Sequence, residues 1–111
     1  MGNGQLVNQV RAYQTAKLQA ANKHVPFYNV EWLAFDYKKL LEEVGELGEL
    51  LIFSDNSNTY KERICEEIAD VAIVLTCIAS HYGIKISDVM DEKLAVLRLR
   101  MEEMGSCKEE R

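Results

Sequence analysis

The segments that decide the fold are Lys39-Leu-Leu-Glu-Glu-Val-Gly-Glu-Leu-Gly-Glu-Leu-Leu51 and Glu62-Arg-Ile-Cys-Glu-Glu-Ile-Ala-Asp-Val-Ala-Ile-Val74. Each segment places apolar residues at the three- and four-residue intervals of an amphipathic helix. We expect these residues to form the buried sides of two helices. They are Leu40, Val44, Leu47 and Leu51 in the first helix, and Ile64, Ile68, Val71 and Leu75 in the second.

A short break, Ser54-Asp-Asn-Ser-Asn58, separates the two segments. It is rich in residues that favour turns and helix N-caps, and so short a connection predicts an antiparallel helical hairpin. Glu46 and Glu67 are equidistant from the middle of the break, and so are Glu43 and Asp70. Because an α-helix rises by about 1.5 Å per residue, the hairpin brings the two members of each pair level with each other.

Four converging carboxylates are costly to bury unless a positive charge neutralises them. Oxygen ligands suit hard cations such as Mg2+ or Mn2+. The alternative is an ordinary solvated face, in which Lys39 pairs with Glu43 and Arg63 pairs with Glu67 at i,i+4 helical spacing. Spacing alone leaves both interpretations open.

Composition limits the class of protein. A chain of 111 residues with 48% hydrophobic residues, one Pro and six Gly predicts a single, mostly helical domain over residues 1–111, frayed at 1–4 and 106–111. It has no apolar run long enough to cross a membrane and no signal pattern, so we expect a cytoplasmic protein with no membrane partner. The net charge of -5 argues against nucleic-acid polymers as partners.

The cysteines and histidines offer no separate chemistry. Cys65, Cys77 and Cys107 lack paired metal spacing, and their odd number argues against a disulfide framework. We expect Cys65 and Cys77 to be small packing residues. His24 is interpreted as a turn residue, and neither His24 nor His81 follows a Glu at the spacing of a di-iron bundle.

The remaining periodicity predicts an all-α four-helix bundle, with helices near residues 5–22, 29–53, 59–82 and 87–104. The expected start signals are Asn29, the Thr59–Glu62 capping box and Ser87. The expected stop signals are Pro26, Gly83 and Gly105. Trp32 is one of several aromatic residues at the start of the second helix; such residues are usually core, but one ring could stack on a nucleobase.

No Gly-rich phosphate loop with a following Lys-Ser/Thr is present. The chemistry that remains is metal-assisted hydrolysis at the carboxylates. At these residues the chain resembles a known family. Glu42-Glu43-Val-Gly-Glu46, followed by Glu67-Ile-Ala-Asp70, is similar to the EExxE…ExxD signature of the MazG-like, all-alpha nucleoside triphosphate pyrophosphohydrolases, and the likeness extends over about residues 32–100.

The resemblance implies Mg2+-dependent cleavage between the α and β phosphates of a nucleoside triphosphate, with Mn2+ as a possible substitute. It implies metal binding by Glu43 and Glu46 of the first motif and by both acids of the second, with Glu42 supporting the site. On the fourth helix it implies substrate contacts from Lys93 and Arg100, whereas Leu97 stands where the family commonly has Asn. The residues that we expect to bind metal are Glu43, Glu46, Glu67 and Asp70, and those that we expect to take part in catalysis are Glu42, Glu43 and Glu46.

The family also implies a homodimer or homotetramer. Two other functions stay open at this point. The same fold could act on phosphoribosyl-ATP or be restricted to dUTP or dCTP, or the acids could serve a non-catalytic helical interaction module.

Overall fold

The computed structural model describes residues 3–21, 31–54 and 57–109, and over these residues the chain is helical with no strand. The helices are α1 (Asn3–Ala21), α2 (Trp32–Phe53), α3 (Asn58–His81) and α4 (Ile86–Glu109). The predicted all-α class with four helices is therefore confirmed. None of the described helices is long and apolar enough to cross a membrane.

The most extensive packing joins α2 to α3, as expected of a hairpin with a short connection. Ser57 caps α3, and its hydroxyl accepts a hydrogen bond from the Tyr60 amide at 3.3 Å. The predicted capping box at Thr59 is wrong, because Ser57 takes the cap position and Thr59 lies within the first turn. The hairpin itself does not depend on which hydroxyl residue caps it.

The end of α3 follows the predicted pattern. Gly83 has a φ of 64°, a conformation that favours glycine. The Ile84 amide donates to the Ala79 carbonyl at 3.0 Å, and the Gly83 amide donates to the Ser80 carbonyl at 3.3 Å. These two bonds are those of a Schellman motif, so the prediction of a left-handed cap at Gly83 is confirmed.

Both predicted ends of α4 are wrong. The helix starts at Ile86, so Ser87 lies in its first turn, and it continues through Gly105 to Glu109. A glycine inside a helix costs about 1 kcal/mol relative to alanine, which is too little to end a helix whose other residues favour it. The tail expected to fray after Gly105 is thus helical as far as Glu109.

The first two helices also differ slightly from expectation. Helix α1 begins at Asn3 rather than Gln5, so two of the residues expected to fray are helical. Helix α2 begins at Trp32, after Glu31 in an extended conformation without a side-chain cap. The predicted cap Asn29 and the turn containing His24 and Pro26 lie outside the described residues.

A charged junction, which sequence analysis missed, joins three helices. Arg11 of α1 donates two hydrogen bonds of 2.6 Å to the carboxylate of Asp36 on α2. His81, at the end of α3, lies 3.0 Å from the same carboxylate through Nε2; because a carboxylate accepts, that nitrogen donates. Asp36 is only 1% exposed, and the Arg11 guanidinium also lies 4.4 Å from the centre of the Trp32 ring.

Apolar burial within the single chain is small. The buried apolar residues are Leu50, Val74 and Cys77, so the packing role expected of Cys77 is confirmed and that of Cys65, which is exposed, is wrong. Several residues predicted to be buried are instead exposed. Their exposed fractions are 50% for Val44, 58% for Leu51, 52% for Ile68 and 42% for Leu75.

The radius of gyration is 19.1 Å, whereas a compact chain of this length has about 13 Å. The helical bundle is therefore extended, and parts of the predicted apolar stripes stay exposed in the single chain.

The junction gives a direct test of what holds α1 to the hairpin. Replacing Arg11 by Met leaves the Asp36 charge buried without its main partner, a type of loss that costs about 3–5 kcal/mol. We expect this decrease in the free energy of unfolding, measured by denaturant titration at fixed protein concentration. Arg63→Met is the control because Arg63 is exposed, and it should change stability by about 0.5 kcal/mol or less. Equal effects of the two substitutions would contradict a stabilising role for the junction.

Candidate metal centre

The two central helices place four acids on their facing sides. Glu43 and Glu46 are three residues apart on α2, so they project from the same side of that helix, and Glu67 and Asp70 have the same spacing on α3. The antiparallel packing then superimposes the two pairs. We refer to Glu43, Glu46, Glu67 and Asp70 as the acidic cluster.

The members of the cluster lie close together. One carboxylate oxygen from each of Glu43, Glu46 and Glu67 lies within 4.8 Å of the other two. Asp70 is near enough for its charge to raise the pKa of both Glu43 and Glu67. The register read from the sequence thus brings three acids into ligand distance of one another, with the fourth beside them.

The local ion pairs offered as the alternative are not formed. Lys39 pairs with Glu42, at 3.4 Å, rather than with Glu43. The guanidinium of Arg63 lies 5.8 Å from the centre of the Tyr60 ring, and over the described residues it makes no ion pair with Glu67. Both predicted i,i+4 pairs are therefore wrong, and no described Lys or Arg side chain neutralises the cluster by an ion pair.

Two carboxylate oxygens of the cluster are both shielded from water and without a donor. Within the described residues, Oε2 of Glu43 and Oε2 of Glu67 receive no hydrogen bond while both carboxylates are ionised, although neither atom is accessible to solvent. Such oxygens are costly to bury when the carboxylates are ionised. A proton or a cation between the two groups removes that cost.

The electrostatics reflect the same crowding. Burial, followed by a hydrogen bond shared with Glu67 and the charges of Glu46, Asp70 and Glu67, raises the pKa of Glu43 from 4.5 to about 7. For Glu67 the bond to Glu43 lowers the pKa, but burial and the neighbouring carboxylates outweigh it, so the pKa is raised. Glu43 and Glu67 therefore bind protons more readily than ordinary carboxylates do.

The donor set fits a hard divalent cation. It consists of carboxylate oxygens on two helices, two of them lacking any other partner, and it contains no sulfur or imidazole. Mg2+ and Mn2+ prefer such oxygen ligands. The acids are also open to a ligand, because Glu43 and Asp70 line a cleft of about 920 Å3 between α1 and the hairpin.

The other residues expected at the site lie in different places. Glu42 is exposed and lines the same cleft. Trp32 lies at the charged junction, where Arg11 stands over its ring and the Phe35 ring meets it edge-on at 5.4 Å. Lys93 and Arg100 are exposed on α4 and are not part of the cleft lining. The single chain thus gathers the acids but does not bring the two α4 cations to them.

Sequence analysis did not identify Lys17 and Lys38, two of the three lysines that line the cleft. A weak signal exists for Lys17, because it lies four residues after Tyr13 on a helix with little apolar character. No pattern indicated that α1 would face the acids.

The raised pKa values predict how stability depends on pH. In the metal-free protein the folded chain holds a proton on Glu43 that the unfolded chain releases between about pH 4.5 and 7, so stability falls as the pH rises through this range. Mg2+ competes with that proton, and we expect it to raise the melting temperature more at pH 8 than at pH 5. Glu43→Gln should weaken both effects, whereas Glu49→Gln, which alters an exposed acid outside the cluster, should preserve them. A melting temperature insensitive to Mg2+ at both pH values would contradict the metal site.

Comparison with known proteins agrees with this geometry. The family model described as the MazG nucleotide pyrophosphohydrolase domain matches residues 36–104, which is more than half of the chain and includes both acidic pairs. No curated protein and no solved structure gives a significant match. The extent of the family match shows that this chain belongs to the MazG nucleotide pyrophosphohydrolase family.

Proposed function

We propose that this protein hydrolyses the bond between the α and β phosphates of a nucleoside or deoxynucleoside triphosphate, releasing the monophosphate and pyrophosphate, with Mg2+ as its metal. The observation that carries the proposal is the pair of buried, donor-free oxygens of Glu43 and Glu67 at the edge of an open cleft. Membership of the family supports nucleotide pyrophosphohydrolase chemistry in general. The activity suits a role in nucleotide pool sanitation or balance in the cytoplasm.

The acidic cluster holds the metal in this proposal. A bound divalent cation supplies charge stabilisation at the phosphate oxygens and lowers the pKa of water. Glu43 and Glu46 from α2 and Glu67 and Asp70 from α3 fix its position from two sides. Because these residues lie on packed helices rather than loops, the geometry is held before substrate arrives.

Glu42 is proposed to orient the attacking water. It is exposed, lies in the cleft and is adjacent in sequence to the ligand Glu43. Its carboxylate lies 3.4 Å from the Lys39 ammonium, which holds the side chain in place beside the cleft. The water oxygen becomes bonded to phosphorus as the bond to the pyrophosphate leaving group breaks. The proton that the water loses passes to a carboxylate.

The proposed assembly is a homodimer or homotetramer. Met90, Leu94, Leu97, Met101 and Met104 recur at alternating intervals of four and three residues on α4, and all five are exposed. This is the spacing of the apolar seam of a coiled coil, and we name these five residues the α4 seam. Together with the exposed apolar residues of the hairpin, the seam is far more apolar surface than a small monomer keeps in water.

An assembly also suggests a role for the two cations of α4. Lys93 and Arg100 are seven residues apart, and each directly precedes a residue of the α4 seam. Both therefore flank the seam. A second copy packed on the seam would place these cations at a chain interface, where they could reach phosphates in a shared site. Trp32, whose ring centre lies 4.4 Å from the Arg11 guanidinium, remains a proposed base contact.

Turnover and a matched pair of variants test the activity. We expect pyrophosphate release from at least one member of a panel of ribo- and deoxynucleoside triphosphates in Mg2+, and none in EDTA. Glu46→Gln should lower kcat by a hundredfold or more, on the order of the loss seen when one transition-state stabilising group is removed. Glu49→Gln, the same change one turn further along α2, should retain activity.

The same panel decides among the alternatives. Inclusion of phosphoribosyl-ATP, dUTP and dCTP shows whether the substrate range is narrow. Stabilisation by Mg2+ without turnover of any member would contradict the enzyme and favour a metal-stabilised interaction module.

The seam gives a separate prediction on assembly. The wild-type chain should have the mass of a dimer or tetramer by light scattering. Leu97→Glu places a charge on the seam and should shift the mass towards the monomer, because a buried unpaired charge is strongly unfavourable. Val96→Glu is the matched control, since it adds the same charge to a neighbouring position off the seam. A monomeric wild-type protein would contradict the proposed assembly.

A further inference from the structure

The cleft that exposes the acids has a second wall, formed by α1. The cleft measures about 920 Å3, which is within the range of pockets that enclose small molecules. The acidic wall carries Glu43 and Asp70, and α1 faces it from the other side. The residues that α1 presents there bear directly on which molecule the cleft accepts.

Two residues on the α1 wall have the chemistry of a ligand contact. Tyr13 and Lys17 are four residues apart, so they share one face of the helix, and both line the cleft. The Lys17 ammonium lies 5.7 Å from the centre of the Tyr13 ring. Tyr13 is 65% exposed, so its ring is accessible to a planar group entering the cleft.

Helix α2 adds cations to the same cleft. Lys38 and Lys39 both line it, but Lys39 is already paired with Glu42. Lys38 and Lys17 form no ion pair with any residue in the described ranges. The cleft thus contains two lysines that form no ion pair within the described residues: Lys17 on α1, across from the acidic wall, and Lys38 on α2, the helix that also carries Glu43.

This distribution of charge matches a metal-bound polyphosphate better than a cation or a neutral ligand. Phosphate oxygens next to the acidic cluster are held through the metal, but the remaining oxygens need separate positive groups to offset repulsion by the carboxylates. A planar aromatic surface beside those cations suits a nucleobase, because every base offers a face for stacking. If these lysines were ordinary surface residues, nothing would require them to share one cleft with an accessible aromatic ring.

Resting on the proposed function, we propose that α1 forms the substrate wall of the active site. Lys17 and Lys38 bind phosphate oxygens that the metal does not hold, and Tyr13 stacks on the nucleobase. These contacts determine affinity for the substrate and not the chemistry of cleavage. They also give α1 a function within the same chain as the acidic cluster.

Binding measurements with two probes separate these roles. Isothermal titration calorimetry in Mg2+ compares inorganic triphosphate with the α,β-methylene analogues of the four deoxynucleoside triphosphates, which cannot be cleaved at that bond. Lys17→Gln and Lys38→Gln should each weaken binding of both kinds of probe by about tenfold, the loss expected for one charge-assisted contact. Tyr13→Ala should weaken the analogues by about tenfold and leave triphosphate unchanged.

Lys61→Gln is the matched control, because Lys61 is an exposed lysine that does not line the cleft. Tyr13, Lys17 and Lys38 are exposed residues of the cleft. The melting temperatures of their variants should therefore stay within a few degrees of the wild type. In steady-state assays the lysine variants should raise KM with little change in kcat. If Lys17→Gln and Lys38→Gln both bind the probes with the same affinity as Lys61→Gln, the assignment is wrong.

The two proposals fail in different ways. If the wild-type protein cleaves a nucleotide but the cleft variants bind normally, the substrate wall is wrong and the function stands. If no nucleotide is cleaved but the lysine variants lose affinity for the analogues, the assignment of the cleft stands and the proposed hydrolysis is wrong.

Discussion

The constraint on which this structure depends is the repulsion among carboxylates that the central hairpin brings together. The α2–α3 packing buries apolar side chains only if its register is kept, and that register also superimposes Glu43 and Glu46 on Glu67 and Asp70. A slip of the helices would relieve the repulsion but would misalign the apolar stripes. The chain therefore keeps an electrostatic cost in its native state, visible as the raised pKa of Glu43.

Within the described residues, the Asp36 junction and the acidic cluster differ in how their buried carboxylate oxygens are satisfied. Asp36 is almost fully buried, and Arg11 and His81 satisfy its carboxylate from two other helices. Glu43 and Glu67 each keep a buried oxygen that no protein group satisfies. A buried acid whose role is structural is expected to have its partner within the fold, as Asp36 does. The unsatisfied pair is instead the arrangement expected where a cation from solution completes the site.

Sequence reasoning predicted the parts of this structure that depend on local periodicity. The hairpin, the facing acids and the cap at Gly83 follow from spacings within one or two helices. The helix ends at Ser87 and Gly105 were wrong because a single residue's preference is weaker than the continuing helix around it. The junction of Arg11, Asp36 and His81 was not predictable, since its members are far apart in sequence and belong to no shared pattern.

The burial of apolar residues on α2 and α3 was also predicted incorrectly from periodicity, for a physical reason. An amphipathic stripe shows that a surface is apolar but not which surface covers it. Leu51 and Ile68 were assigned to the core of one chain, yet both remain more than half exposed in it. The two cleft lysines were not identified for the converse reason: Lys17 has only a weak spacing signal and Lys38 has none, and both line the cleft because α1 faces the hairpin.

The charge balance links these observations to function. A chain of net charge -5 does not attract an anionic substrate by its overall field, so recognition must come from local groups. The acidic cluster by itself repels phosphate, and a divalent metal bound there would offset only part of the substrate's charge. The lysines of the cleft lie on the same chain as the acids, whereas Lys93 and Arg100 lie on a helix whose described side chains from Ser87 to Gly105 are exposed. In the proposed function, α1 and α2 therefore select the nucleotide within one chain, while any contribution from α4 depends on the proposed assembly.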